Sequence, residues 1–142
     1  MLLDVEEEGK GMQEAIIPAS HENWTQQEIH LILNKAFELY QQGQYRDADI
    51  LFEGLVTIDP ENRYCYLALS AVRASAGDLV RAVEVLSQWI KFRGDDAEAR
   101  ARRCELLFRL GQMAEGRFDF EFLRNSGAED HWRRLDLLLN RG

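Results

Sequence analysis

A glycine-centred pattern occurs three times in this chain, and each copy lies 34 residues after the previous one. The glycines are found in the steps Gly43-Gln44, Gly77-Asp78 and Gly111-Gln112. Residues at two other offsets correspond in the same way. They are Leu39, Arg73 and Leu107 before the glycines, and Phe52, Leu86 and Phe120 after them. A fixed period in this range predicts a stack of similar supersecondary units, in which neighbouring units bury each other's apolar faces.

The 34-residue period is that of the tetratricopeptide repeat, a helix–turn–helix unit. Pro18 and Pro60 are the only prolines, and Leu, Ala, Glu and Arg are common, which favours helices throughout. We therefore predict an all-α fold with three tetratricopeptide repeats in a right-handed superhelix and a C-terminal capping helix. The repeats are expected at about 29–62, 63–96 and 97–127, and the capping helix at about 128–140.

The two ends of the first helix carry recognisable signals. Thr25 followed three residues later by Glu28 predicts a capping box at its start, and Gly43 predicts its end. Before this helix, residues 1–22 combine several acids with few apolar residues, which predicts a flexible acidic arm preceding a repeat domain over 23–142. Within the arm, Ile16-Ile17 leaves open a second role, docking on a partner subunit or into a groove.

Charge is distributed unevenly along the chain. Residues 1–62 hold 3 Lys/Arg and 13 Asp/Glu, a balance of −10, whereas residues 63–142 hold 14 and 12, a balance of +2. The acidic first half would repel phosphate backbones, so we expect no nucleic-acid partner. Arg100, Arg102 and Arg103 form a basic cluster with acids close by in sequence. We interpret it as a solvated helix face with local ion pairs rather than an anion site.

Composition argues against catalysis and against a membrane location. No apolar run approaches the roughly 20 residues that span a bilayer, and Cys65 and Cys104 stand apart without metal-ligand spacing. The histidines are scattered, and no phosphate-binding loop is present. We therefore predict a cytoplasmic protein that is not an enzyme, with no catalytic residues, no metal and no cofactor, and with no membrane partner.

The remaining candidate for function is a surface. In a tetratricopeptide stack, the first helix of each repeat lines the concave side. The apolar and small residues at the inward positions suggest a groove with pockets for a peptide. The groove residues that we predict are Leu33, Phe37, Tyr40, Tyr64, Leu67, Ala71, Ala74, Ala101 and Phe108.

Several stretches of the chain resemble a known family. Leu39–Ala48, Phe52–Leu55 and Ile58–Pro60 look like the first repeat of the bacterial type III secretion chaperones of the translocator class; Arg63–Arg73 and Cys104–Glu115 are similar to their second and third repeats. The resemblance implies a chaperone, often dimeric, that holds a hydrophobic translocator subunit by an extended segment in its concave groove. It also implies that Tyr40, Tyr64 and Leu67 contact that segment.

A second function stays open on the same architecture. The chain could be a general repeat adaptor or assembly subunit, or a needle-subunit co-chaperone, and its ligand would then be an amphipathic helix. An adaptor that clamps charged C-terminal tails is disfavoured. It needs Lys and Arg at inward positions, where the sequence has Leu, Phe and Tyr and a single Arg109.

Overall fold

The computed structural model describes residues 24–140, and in this part of the chain every regular element is an α-helix. The helices are α1 (Gln26–Gln41), α2 (Tyr45–Ile58), α3 (Arg63–Ser75), α4 (Leu79–Phe92), α5 (Ala97–Arg109), α6 (Met113–Asn125) and α7 (Glu129–Leu139). The predicted all-α class and the helix–turn–helix pattern are confirmed. The predicted arm at 1–22, with its Ile16-Ile17 pair, lies outside the described residues.

Side-chain caps begin several of these helices. The Thr25 hydroxyl accepts a hydrogen bond from the Glu28 amide at 3.0 Å, and the Glu28 carboxylate accepts one from the Thr25 amide, also at 3.0 Å. This is the predicted capping box, which satisfies two amides that the first turn leaves without intrahelical partners. Asn62, Asp78 and Asp96 cap α3, α4 and α5 in the same position.

The recurring glycines end the first helix of each repeat. Gly43 has φ +77°, and Gly77 and Gly111 have closely similar values of +88° and +80°. Next to Gly43, the Gln44 amide donates to the Leu39 carbonyl at 2.9 Å, which satisfies a carbonyl at the end of α1. Residues with a Cβ rarely adopt this left-handed conformation, so the sequence period marks the places where the chain must turn.

The chain divides into two compact units at the Ala76–Gly77 step. Unit 1 contains α1, α2 and α3, and α2 packs against both of the others. Its core is apolar and includes Ile32, Ala36, Leu39, Leu51, Phe52 and Leu55. One charged side chain is also buried there. Arg73 of α3 donates to Asp49 of α2 at 3.0 and 3.3 Å and to Glu53 of α2 at 3.1 Å.

Unit 2 contains α4, α5, α6 and α7. Helix α5 packs against each of the other three helices, and α7 also contacts α6. A buried cluster joins α5, α6 and α7 and consists of Ala101, Cys104, Phe120, Leu123 and Leu135. The contribution of Leu135, together with the partly buried Trp132 and Leu139, shows that α7 covers this core as the predicted capping helix.

The basic cluster on α5 differs from our interpretation of it. Arg102 does form the expected local ion pair, with Glu98 at 2.9 Å. Arg100 and Arg103, however, are largely buried and both bind Asp119 of α6, which has no exposed surface. The interpretation as a solvated face was therefore wrong for these two residues. It failed because their partner lies on another helix, and sequence neighbours gave no indication of it.

Candidate peptide-binding surface

Helix α1 presents an apolar stripe directly beside its buried face. Leu33, Phe37 and Tyr40 follow one another at spacings of four and three residues, which places them on one face of the helix. Phe37 is 41% exposed, and its ring centroid lies 6.5 Å from that of Tyr40. Because Ile29, Ile32, Ala36 and Leu39 already form the buried face of α1, this stripe is additional apolar surface.

Tyr40 connects this stripe to α3. Its hydroxyl lies 3.2 Å from the Ser75 hydroxyl, at hydrogen-bonding distance, and its ring centroid lies 5.8 Å from that of Tyr45. The hydrogen bond joins the C-terminal ends of α1 and α3, and α2 packs against both of these helices. Tyr40 is therefore held at both ends, by a ring contact and by a hydroxyl partner.

Helix α3 supplies the other side of the surface. Tyr64, Leu67, Ala71 and Ala74 share one helical face, with bulky residues near the start and small residues near the end. Tyr64 is 45% exposed, Leu67 is buried, and the two alanines are partly buried. We define the α1–α3 face as the seven predicted groove residues of unit 1: Leu33, Phe37, Tyr40, Tyr64, Leu67, Ala71 and Ala74.

The α1–α3 face carries no formal charge. Burial, with a smaller effect of the neighbouring Cys65, raises the pKa of Tyr64 above its usual value, so this phenol stays neutral at physiological pH. Exposed apolar rings beside small residues form a surface on which another chain can bury its own apolar side chains. Such a surface is suited to binding an apolar partner and has no charged group that could take part in a reaction.

The two predicted groove residues in the third repeat have a different setting. Ala101 is a member of the buried cluster of unit 2, and Phe108 packs against that cluster. The ring of Phe108 lies where the side chain of residue 116 would be; a Cβ on Gly116 would come within 2.6 Å of it. In unit 2, therefore, both residues contribute to the core.

Neither cysteine has the properties of a nucleophile. Cys65 and Cys104 are fully buried, and burial raises the pKa of each thiol to about 12. A thiol that stays protonated is a weak nucleophile and a poor metal ligand. Within residues 24–140, no group of three or more His, Cys, Asp or Glu side chains is arranged to hold a metal ion. No helix in the same range has the length and apolar character needed to cross a membrane.

Sequence reasoning missed two features that the structure shows. The contact of Ser75 with Tyr40 joins two helices and could not be read from the sequence. Asp119 had a signal that could have been used, because it occupies the repeat position held by the buried Leu51 and Val85. An acid in a core column requires a buried cationic partner, and the basic cluster on α5 was the available one.

Comparisons with known proteins agree with this geometry. Residues 39–101 match the model of the Tetratricopeptide repeat family. The structure resembles PcrH from Pseudomonas aeruginosa, with a TM-score of 0.73 and 21% identity over 84% of this chain and 94% of that one. It also resembles SycD, a type III secretion translocator chaperone of Yersinia enterocolitica, with a TM-score of 0.69 and 22% identity over 83% and 92%. The chain has the fold of these chaperones.

Two further likenesses complete the comparison. PcrH in complex with the chaperone-binding region of PopD matches with a TM-score of 0.72 and 21% identity, over 84% of this chain and 93% of that one. A curated relative, DnaJ homolog subfamily C member 3 of Rattus norvegicus, is 32% identical over 104 residues, which is 73% of this chain. The chain spans only about a fifth of the length of that relative. The expected likeness to translocator chaperones is confirmed for the fold.

Proposed function

We propose that this protein is a non-enzymatic chaperone that holds a hydrophobic, translocator-type secretion subunit through an extended segment. The observation that carries the proposal is the α1–α3 face. It exposes Phe37 and Tyr64 on two helices that the Tyr40–Ser75 hydrogen bond links. Monomeric proteins rarely leave such an apolar surface open without a partner for it.

The comparisons support this choice of partner. Structures with the same fold contain PcrH with the chaperone-binding regions of PopB and PopD, and SycD with a peptide of the translocator YopD. An extended segment can place alternate side chains on this face, where bulky ones fill the space beside Ala71 and Ala74 and pack against Phe37 and Tyr64. The bound subunit would thereby be kept from aggregating, and the chaperone would act in the cytoplasm, before secretion.

The proposal is tested by co-expressing the full chain with candidate translocator-type subunits of the same organism. We expect a subunit that is insoluble alone to be recovered in a soluble complex. Phe37→Glu combined with Tyr64→Glu should abolish that recovery, because two charges would have to be desolvated in the interface. Both side chains are substantially exposed, so the helical content of the double variant should not change.

A matched control comes from the same helix. Leu31 is 63% exposed and stands on a different side of α1 from Phe37, so Leu31→Glu adds a charge to α1 away from the α1–α3 face. This variant should recover the subunit as well as the unmodified chain does. Undiminished recovery by the double variant, or equal loss in the control, would refute the role of the α1–α3 face.

The likeness to DnaJ homolog subfamily C member 3, whose name does not refer to secretion, leaves open a second candidate: a general repeat adaptor or assembly subunit whose ligand is an amphipathic helix. Such a helix would lay apolar residues at spacings of three and four along the same face. Circular dichroism separates the two candidates. A gain in helical signal when the ligand segment binds indicates the adaptor, whereas binding without this gain indicates an extended segment.

A further inference from the structure

A second surface of the molecule, in unit 2, is built around a charge imbalance. Arg100 donates to Asp119 through Nη1 at 3.0 Å, and Arg103 donates to it through Nε at 2.8 Å and Nη2 at 2.7 Å. Asp119 is fully buried, and the two arginine side chains are only 11% and 16% exposed. Two guanidinium groups share one carboxylate, so this largely buried group has a net charge of +1.

Arg103 retains hydrogen-bonding capacity, whereas Arg100 also donates through Nε to the Gly94 carbonyl at 2.8 Å. Besides its bonds to Asp119, Arg103 donates through Nη1 to the Ser87 hydroxyl at 3.1 Å. A guanidinium has five N–H donors, and these contacts with described residues use three of those of Arg103. A largely buried charge without a full counterion is costly, since its hydration has been removed. A second carboxylate at this place would supply both the missing charge and the missing acceptors.

The structure also provides space for such a group. Two cavities, of about 610 and 330 Å³, share Val83, Ser87, Arg103 and Phe118 as lining residues. These volumes are in the range of small-molecule and side-chain pockets. Arg100, Lys91 and Glu84 also line the larger cavity. The charges of these residues, Arg103 and the adjoining Asp119 sum to +1. The smaller cavity is less suitable for an anion because Glu115 lines it.

An exposed aromatic ring lies beside the two arginines that line the larger cavity. Phe118 is 67% exposed, and the Arg100 guanidinium lies 5.6 Å from its centroid and 4.2 Å from that of Phe122. Phe122 is partly buried and screens Arg100 from one direction, but most of the Phe118 ring remains open to solvent. A ligand in the larger cavity would therefore contact an aromatic ring directly beside the arginines.

We propose that this cavity of unit 2, which we call the Arg103 cavity, binds a carboxylate of a partner protein segment, with an adjacent apolar side chain packed on Phe118 and Val83. The charge of the cavity selects the carboxylate, and the ring selects its apolar neighbour. Ser87 accepts a hydrogen bond from the Arg103 guanidinium and lines the cavity. This site is independent of the α1–α3 face, and its ligand need not be the chaperone's cargo.

The test is a titration of the full isotope-labelled chain with small probes, followed by nuclear magnetic resonance. N-acetyl-leucine presents a main-chain carboxylate, and N-acetyl-aspartyl-leucinamide presents a side-chain carboxylate. N-acetyl-leucinamide is the neutral control. We expect saturable shifts of the Ser87 amide and the Arg103 Nε–H with a Kd on the order of 1–10 mM for one or both acids. Binding of the neutral probe should be at least about tenfold weaker, and added salt should weaken binding of the acids.

Variants connect the shifts to the cavity. Ser87→Ala and Phe118→Ser should each weaken binding about threefold or more, and neither side chain lies in the core. Phe92→Ser, which removes another exposed ring in unit 2, is the matched control and should change nothing. Arg103→Lys keeps the charge but loses the planar donor set, so we expect weaker binding with the fold retained.

Four results would overturn the proposal. They are equal binding of the neutral probe, shifts confined to Phe37 and Tyr64, the absence of any saturable shift up to about 100 mM, and a dimer that Phe118→Ser dissociates. The last result would show that a second copy of the chain covers this surface.

Discussion

The two units each bury a three-residue ion cluster, but with opposite composition. In unit 1, one cation contacts two acids: Arg73 binds Asp49 and Glu53. In unit 2, one acid contacts two cations: Asp119 binds Arg100 and Arg103. Both central residues are buried, since the side chain of Arg73 is only 7% exposed, but the peripheral residues differ. Asp119 has no exposed surface, whereas the cluster of unit 1 reaches solvent through Glu53, which is 61% exposed.

The difference shows that the stability cost of removing an acid depends on whether the acid or the cation is the buried centre of the cluster. Removing the peripheral Asp49 from unit 1 leaves Arg73 with a second acid, the largely exposed Glu53. Removing the central acid from unit 2 leaves two guanidinium groups close together without a counterion. The same kind of contact therefore joins two helices in each unit, but we expect it to be more important for stability in unit 2.

The largest predicted effect is that of Asp119→Ala. It should lower the free energy of unfolding by about 3–5 kcal/mol, because two largely buried positive charges lose their partner. Asp49→Ala removes a peripheral acid from the cluster of unit 1 and should cost only about 2 kcal/mol, since Glu53 still accepts from Arg73. Equilibrium unfolding in urea measures both values. Equal losses would show that removing the shared central acid is no more costly than removing one of two acids around a buried cation.

A second contrast between the units concerns equivalent rings. Tyr40 and Phe108 occupy the same repeat position, yet Tyr40 lies on the α1–α3 face and Phe108 packs against the core of unit 2. The second helix of each repeat explains the space available in unit 2. Gly116 admits the Phe108 ring, whereas the equivalent residue in the first repeat is the fully buried Ala48. The two repeats thus differ by one methyl group at this position, and the rings of Tyr40 and Phe108 differ in their surroundings.

Gly116→Ala tests this explanation. The new Cβ would lie 2.6 Å from the Phe108 ring, so the ring must move. Overpacking of this kind costs about 1–3 kcal/mol, and the better helix propensity of alanine returns up to about 1 kcal/mol. We expect a net loss of about 1–2 kcal/mol in urea unfolding. Adding Phe108→Leu should recover part of it, and a stabilised single variant would contradict the packing account.

Much of the fold could be predicted from sequence because its signals are local. The glycines at Gly43, Gly77 and Gly111 report backbone conformation directly, and the Thr25 capping box needs only four consecutive residues. The ion clusters could not be predicted so simply. Arg103 and Asp119 are 16 residues apart, and whether they meet depends on how α5 packs against α6.

The candidate site was predictable only in part for the same reason. Helical spacing placed Leu33, Phe37 and Tyr40 on one face, which is a property of one helix alone. It did not show that Phe108 packs against the core of unit 2, because that depends on the glycine facing its ring. Peptide binding by the α1–α3 face remains a prediction, and the double variant of Phe37 and Tyr64 is its direct test.

The next predicted effect concerns the thiols, one in each unit. The pKa of Cys65 and of Cys104 is about 12 in the folded chain against about 9 for an unburied thiol, so the unfolded chain loses these protons first as pH rises. The stabilising contribution is therefore complete below pH 9 and is lost progressively above it. Linkage gives about 1.4 kcal/mol per thiol at pH 10.

Urea unfolding at pH 8 and pH 10 measures this loss. Tyrosines also titrate in this range, so the thiol share is obtained by comparison with Cys65→Ala and with Cys104→Ala. Each variant should show a smaller decrease between the two pH values, by about 1.4 kcal/mol. If the free energy of unfolding falls by a similar amount in the two variants, the two units protect their thiols from deprotonation equally well. An unchanged decrease in one variant would show that its unit exposes the thiol without global unfolding.

The smallest effect is expected from Tyr40→Phe, which gives the first repeat the ring that the third repeat has at this position. The substitution removes only the contact with the Ser75 hydroxyl and keeps the ring against Tyr45. Because Ser75 is exposed and water can replace the lost partner, the free energy of unfolding should change by less than about 0.5 kcal/mol. A much larger loss would mean that this hydrogen bond holds α1 to α3. The α1–α3 face would then depend on a contact that its apolar residues do not provide.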